Sequence, residues 1–166
     1  IGRIPRVEEI EAFQKWSPTE RREKVVDKLL ANPRFTDRWT VFLADTLRVR
    51  SNVTGGREMQ AWLHTEVEKN TGWDEMTREM ISANGRTSQN PAVGFLLNDN
   101  TDPMSMAAAV SQIFLGVRMS CAQCHNHPFD DWNQTDFYEL ASFFGKTVQR
   151  QNQFARTTYT TEEKVN

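Results

Sequence analysis

The residues best suited to chemistry are concentrated in one short stretch, Cys-Ala-Gln-Cys-His-Asn-His, which occupies positions 121 to 127. This stretch contains both cysteines of the chain and two of its three histidines. Cys121 and Cys124 stand three positions apart, so one helical turn places both thiols on the same face. His125 follows directly and adds an imidazole, the side chain that binds metals most often. The stretch therefore combines two reactive thiols with one metal-binding ring.

Cys-x-x-Cys-His is the spacing that attaches c-type haem in proteins. The thiols of Cys121 and Cys124 would each form a thioether with one vinyl group of the same porphyrin, because they share one face of the turn. His125 would then bind the iron as its proximal axial ligand. The pattern therefore predicts covalently attached haem c at this stretch.

Two other interpretations of the same residues stay open. Cys121 and Cys124 could form a disulfide or remain structural thiols, since a free cysteine often packs as a small hydrophobic side chain. The candidate ligands of a zinc site would be Cys121, Cys124, His125 and His127. Zinc is less favoured, because ligands crowded within seven residues can hardly surround one ion tetrahedrally.

The residues after the motif are also unusual. Pro128 favours a turn, and the rings of Phe129 and Trp132 would either cover an exposed haem edge or close a small satellite core. An enzyme, either a haem peroxidase or a hydrolase that uses His127 and a nearby Asp, is a weaker possibility. It needs an open distal face or a carboxylate–histidine pair.

The sixth iron position has few candidates. All six methionines precede Cys121, and no histidine follows His127, which lies too close to His125 to reach the opposite face of a porphyrin. His64 lies about 100° from the apolar Leu63 on a predicted helix, so it could either reach solvent as a surface histidine or turn inward. We expect His64 as the distal ligand narrowly ahead of any one methionine, with five-coordinate iron as a third outcome. Met119 is excluded because it lies only two residues before Cys121. The methionines that remain are Met59, Met76, Met80, Met104 and Met106.

Composition describes an ordinary folded domain. Of 166 residues, 38% are hydrophobic and 25% are charged, enough for one domain with a real core. The net charge of −2 gives no bias toward nucleic acid or an anionic membrane. The longest weakly polar stretch, from Ser105 to Val117, has about 13 residues and is too short to span a bilayer. We therefore expect no nucleic-acid partner and no membrane span in this segment.

Apolar residues repeat at helical spacing along most of the chain. Ser17-Pro18 and Asp102-Pro103 each pair an N-cap residue with a proline at the first helical position. Asp136 with Glu139 indicates a capping box at the start of a last helix. No segment alternates strongly enough to predict a sheet. The fold class predicted is all-α, a single irregular domain of about seven to nine helices over residues 1–145.

Residues 146–166 are polar, and we expect them to be a tail or the start of a following segment. The run Thr157 to Thr161 could be a strand in a longer protein, but alone it should be loosely ordered. The second helix should point Val25, Val26, Leu29 and Leu30 inward. The core is expected around Trp39, Phe42, Trp62, Met76, Ile113, Phe114 and Phe144.

Several segments together carry a family resemblance. They are Gly2-Arg3-Ile4-Pro5, residues 29–35 with Arg38-Trp39, Asn90-Pro91-Ala92, residues 114–118 running into 121–129, and residues 137–144. In these segments the chain resembles the planctomycete cytochrome-C-like domain, also catalogued as domain of unknown function 1549. The resemblance covers nearly the whole chain. It implies a helical domain of large exported proteins, often beside a second uncharacterised domain and sometimes with other cytochrome modules.

These observations favour a c-type haem-binding electron-transfer module of a larger exported protein over a catalyst. Its partners would be a redox protein or neighbouring domains of the parent. Because c-type haem is attached outside the cytoplasm, we expect a periplasmic or cell-surface location. Residues 1–5 do not form a signal peptide, so a targeting signal would have been removed or would lie upstream. The alternative is a helical structural or interaction module with a disulfide or a metal-stapled turn.

Overall fold

The computed structural model describes residues 1–152 and 157–162. Within them the chain is mainly helical, so the predicted all-α class is confirmed. The α-helices are Val7–Lys15 (α1), Arg21–Leu30 (α2), Pro33–Thr46 (α3), Gly56–Glu68 (α4), Trp73–Ile81 (α5), Gly94–Leu97 (α6), Pro103–Phe114 (α7) and Gln134–Ser142 (α8). Two 3₁₀ helices, Pro91–Val93 and Met119–Gln123, complete the helical elements of the described residues; we call the second one the motif helix.

The predicted start of α7 agrees with the structure, whereas that of α2 does not. Asp102 caps α7 as predicted, because its Oδ2 accepts the Ser105 backbone N–H at 2.8 Å. The α2 prediction was wrong in its start: the helix begins at Arg21, and the Ser17 hydroxyl bonds to the Thr19 hydroxyl at 2.9 Å. The N-cap residue is Glu20, and its side chain makes no capping hydrogen bond.

The start of α8 also differs from its prediction. Its capping box joins Asn133 to Asp136 rather than Asp136 to Glu139. Asn133 Oδ1 accepts the Asp136 N–H at 3.1 Å, and Asp136 Oδ2 accepts the Asn133 N–H at 2.8 Å. Asn133 and Asp136 are chemically similar to the predicted pair, have the same spacing and lie one turn earlier, so the pattern alone did not distinguish the two starts.

The core lies where α4, α5, α6, α7 and α8 meet. The four residues of α6 are buried on every side, and the 3₁₀ helix Pro91–Val93 packs beside them against α4. Trp62, Met76 and Phe144 are buried as predicted, and Ile113 and Phe114 pack against the cluster from its margin. The largest fully buried apolar side chains are Phe137, Leu47, Met59, Leu63, Met80, Leu96 and Met106.

Two predicted core residues on α3 are exposed instead. Trp39 keeps 44% and Phe42 49% of its surface in solvent. The helix turns its other apolar stripe, which includes Ala44 and the C-terminal Leu47, toward the core and packs against α4. Both stripes have helical spacing, so periodicity could not tell which one would face the core.

The inward residues predicted for α2 were also wrong. No residue of α1 or α2 is buried; Val25 is half-buried, whereas Val26, Leu29 and Leu30 are exposed. The two helices pack against each other. Their apolar faces therefore meet at the surface of the domain and outside its core.

A small antiparallel sheet joins distant parts of the chain. The strands are Gly85–Arg86 (β1), Thr147–Asn152 (β2) and Thr157–Glu162 (β3), in the order β1-β3-β2. Thr160 pairs with Gly85 on one side and with Gln149 on the other. The expectation that this run is loosely ordered was therefore wrong, because β3 gains hydrogen-bonded neighbours on both edges. The rest of the expected tail, residues 153–156 and 163–166, lies outside the described residues.

Among residues 1–152 and 157–162, no helix combines the length and the apolar character that spanning a bilayer requires.

Candidate functional site

The motif helix holds the cysteines at the surface of the domain. It packs against α7 and α8 and is anchored by Met119 and Ala122, which are both buried. A 3₁₀ helix has three residues per turn, so positions three apart lie directly above one another. Cys121, half-buried, and Cys124, exposed, therefore form a second row beside the buried one. Because Met119 and Ala122 are buried, the orientation of the motif helix is fixed, and with it the position of the two thiols at the surface.

Helix α8 fixes the end of the motif helix. Gln134 Nε2 donates to the carbonyl oxygen of Gln123 at 3.1 Å, and the Tyr138 hydroxyl donates to the same oxygen at 3.2 Å. Gln134 and Tyr138 lie one turn apart on one face of α8. Sequence reasoning did not find these two residues, and their spacing on the next helix is the signal that the sequence offers.

His125 is exposed, and its ring has a defined hydrogen bond. Nδ1 lies 2.7 Å from the carbonyl oxygen of Asn126. A carbonyl oxygen can only accept, so the proton is assigned to Nδ1. In the neutral ring Nε2 then keeps its lone pair, which is the form in which a histidine binds a metal ion.

The loop returns to α8 through the side chain of Asn126. Its Oδ1 accepts the backbone N–H of Gln134 at 3.1 Å, at the first residue of the helix. An otherwise unpaired amide of the α8 N-terminus is satisfied in this way. The residue whose backbone carbonyl accepts the hydrogen bond from His125 is thus attached to α8 through its side chain.

His127 makes a different set of contacts. Its Nδ1 accepts the backbone N–H of Asp130 at 3.0 Å and that of Phe129 at 3.3 Å, while its side chain keeps only 8% exposure. Nδ1 is therefore unprotonated and organises the turn that follows. The Asp130 carboxylate lies 3.5 Å from this same nitrogen. Since an unprotonated nitrogen cannot donate to a carboxylate, the pair lacks the hydrogen bond that orients a catalytic histidine.

Aromatic rings stand beside this turn. Phe129 is 91% exposed, so it does not close a satellite core. Its ring centroid lies 6.4 Å from that of His127. Trp132 and Tyr138 are also exposed, although less so. The motif is therefore accompanied by three accessible aromatic rings, which stand among exposed polar residues such as Asp130 and Asp131.

Both cysteines carry free thiols. Across residues 1–152 and 157–162, no three side chains of His, Cys, Asp or Glu converge where they could hold a metal ion between them. The two thiols and the Nε2 of His125 fit the donor set that covalent haem attachment needs.

His64 lies elsewhere in the fold. On α4, its Nε2 is 3.2 Å from Oδ1 of Asp37 on α3, and its side chain is 44% exposed. The two residues border a shallow cleft to which the motif contributes no residue. The role of His64 as the distal iron ligand remains a prediction. Among the methionines considered, Met59, Met76, Met80 and Met106 are buried in the core, and Met104 packs at its margin.

Comparison with known proteins identifies the family of this chain. The profile of a family described as PSCyt2, protein of unknown function (DUF1549), matches residues 1–149. No curated protein and no solved structure matches the chain. The match covers the helical domain and the entire motif.

Proposed function

The chain belongs to the PSCyt2 family of unknown function, and we propose that this helical domain binds haem c and transfers electrons. Cys121 and Cys124 form the thioethers, and Nε2 of His125 binds the iron. Haem c supplies a one-electron iron couple. The observation that carries the proposal is the hydrogen bond from His125 Nδ1 to the Asn126 carbonyl, which leaves a metal-binding nitrogen on the residue that directly follows two free thiols in the sequence.

The surroundings of the motif support electron transfer more than catalysis. Cys124 and His125 are exposed, and Phe129 offers an apolar ring that a porphyrin can cover. An exposed site suits the brief encounters of redox partners. His127 is committed to its turn, so it supplies no proton acceptor at Nδ1. The partner is accordingly a redox protein or a neighbouring domain of the parent protein.

The location follows from the cofactor. Haem c is attached outside the cytoplasm, so the domain works in the periplasm or at the cell surface. This part of the proposal fails together with haem attachment.

The test is to express the chain with a c-haem maturation system and record a pyridine haemochrome spectrum. We expect a covalent haem signal and the matching gain in intact mass. Cys121→Ser and Cys124→Ser should each alter attachment, and the double variant should abolish it. Ser120→Ala, adjacent to the motif, is the matched control and should keep the haem. Wild-type protein without covalent haem, from cells that mature a control cytochrome, would refute the proposal.

A structural or interaction module is the second candidate. It is favoured by the anchoring of the motif helix through Met119 and Ala122, which needs no cofactor. In that case intact mass would show either two hydrogens lost to a Cys121–Cys124 disulfide or one zinc gained. The same measurement therefore separates the two candidates.

A further inference from the structure

The helical pair at the N-terminus encloses a groove far from the motif in sequence. The groove has a volume of about 410 Å³ and lies between α1, α2 and the residues before α1. This volume falls within the range of small-molecule sites. Its apolar walls are formed by Ile10, Phe13, Trp16, Val25 and Leu29.

Hydrogen bonds from Arg21, on α2, connect the two helices that form the groove. Arg21 Nε donates to the Trp16 carbonyl at 2.9 Å, and a second guanidinium nitrogen donates to the Gln14 carbonyl at 2.8 Å. The same guanidinium lies 5.6 Å from the centre of the Phe13 ring. Arg21 therefore satisfies the carbonyl end of α1 and fixes the angle at which α2 leaves it. The groove is preorganised although neither helix has a buried residue.

One end of the groove is charged. Arg3 forms two hydrogen bonds with the Glu9 carboxylate, at 2.8 and 2.6 Å, so these two charges compensate each other. Lys28 also lines the groove, and its positive charge contributes, through space, to lowering the pKa of Glu9. Within the described part of the chain its ammonium forms no hydrogen bond or close ion pair, so it stays available to a second carboxylate. The three groups together leave a charge of +1 beside an apolar surface. This combination complements a molecule with an apolar body and one negative head group.

We propose that the groove binds a small amphipathic carboxylate. Its apolar body lies between Phe13, Trp16 and Leu29, and its carboxylate pairs with Lys28. The proposal is independent of haem, because the groove shares no residue with the motif.

The test is calorimetric titration of the full chain with three probes of equal chain length: decanoate, decanol and decyltrimethylammonium. Decanoate should bind roughly 1.5-fold to fivefold more tightly than decanol, which corresponds to one exposed ion pair of about 0.2–1 kcal/mol. Decyltrimethylammonium should bind most weakly. Equal affinity for decanoate and decanol would overturn the proposed carboxylate specificity.

Substitutions in and beside the groove test whether the probes bind there. Lys28→Gln should remove the preference for decanoate and leave decanol binding unchanged. Lys24→Gln removes the same charge from α2, but Lys24 pairs with Glu20 outside the groove, so the preference should remain. Val25→Phe should fill the groove and abolish binding of all three probes, with folding checked by circular dichroism. A folded Val25→Phe variant that still binds decanoate, or a Lys28→Gln variant that keeps the preference, overturns the proposal. So does a concentration-dependent dimer that Val25→Phe dissociates, since the groove is then filled by a second copy.

Discussion

The Nδ1 of His125 lies 2.7 Å from the carbonyl oxygen of Asn126, while the side chain of Asn126 accepts the first N–H of α8. One residue therefore joins the proposed iron ligand to the helix that also fixes the motif helix. The orientation of the imidazole is set by α8, through hydrogen bonds that do not involve a cofactor.

Replacing Asn126 should change the electronic state of a bound haem. Asn126→Ala frees the loop from α8 and weakens the hydrogen bond from His125, so the imidazole donates less charge to iron. We expect the midpoint potential to rise by on the order of tens of mV, equivalent to a hydrogen bond of about 1 kcal/mol. Gln123→Ala is the control, because only the backbone carbonyl of Gln123 makes the recorded contacts. A potential that moves equally in both variants would contradict the role of Asn126.

The turn after the motif depends on one acceptor atom. His127→Phe removes the acceptor for two backbone amides and should lower the free energy of unfolding by about 1 kcal/mol, because the partly exposed amides can still bind water. His127→Asn should lose much less, since an asparagine oxygen accepts from the amides two and three residues ahead. Urea denaturation of the two variants measures the difference. Equal losses would mean that ring packing, and not the acceptor, stabilises the turn.

The Arg3–Glu9 pair predicts a pH dependence. The Arg3 guanidinium, with a smaller contribution from the Arg6 backbone N–H, lowers the pKa of Glu9 from 4.5 to about 2. Because the folded pKa is depressed, the pair stabilises the protein above about pH 4.5 and loses this effect as the pH falls toward 2.

Hydrogen exchange of the α1 amides between pH 5 and pH 3 tests this dependence. Protection should fall in wild type, with little further change in Arg3→Gln, where the pair is already absent. Arg22→Gln removes the same charge outside the pair and should behave like wild type. A wild-type response that Arg3→Gln leaves intact would assign the effect to another carboxylate.

A close approach of two helices requires a glycine at position 94. A Cβ atom there would lie 2.7 Å from the Gly55 carbonyl oxygen and 2.7 Å from the Met59 Cβ. Neither atom belongs to a flexible side-chain end, so Gly94→Ala should cost about 1–3 kcal/mol through overpacking. Gly145→Ala is the control, because its nearest contact would be 3.3 Å. Thermal melts of both variants measure the difference, and equal melting temperatures would show that α4 and α6 can separate.

The distal ligand is tested through His64. If this residue binds the iron, it must first leave Asp37, and His64→Ala should convert the ferric haem to a different spin state. Asp37→Ala should leave the spin state unchanged, since it only releases the ring. An unchanged spectrum in His64→Ala would remove His64 from consideration and favour a methionine or five-coordinate iron.

Local features of this protein were readable from its sequence. Asp102-Pro103 predicted the start of α7, since a cap and a proline act within one turn. The spacing of Cys121, Cys124 and His125 identified the motif, because these three residues also lie within about one turn of the chain. Helical periodicity predicted the all-α class, because it reports the repeat of the backbone and requires no knowledge of packing partners.

Which segments of the chain pack against each other was decided only by the tertiary structure. Trp39 and Phe42 are exposed because α4 packs against the other stripe of α3, a choice between two equally periodic faces. Strand β3 is ordered because Gly85 and Arg86, far away in sequence, supply its second neighbour. The proton on His125 is likewise assigned by a carbonyl oxygen whose position depends on α8. A sequence pattern specifies what a residue can do within a turn, whereas burial and hydrogen-bond partners depend on which distant segments come into contact.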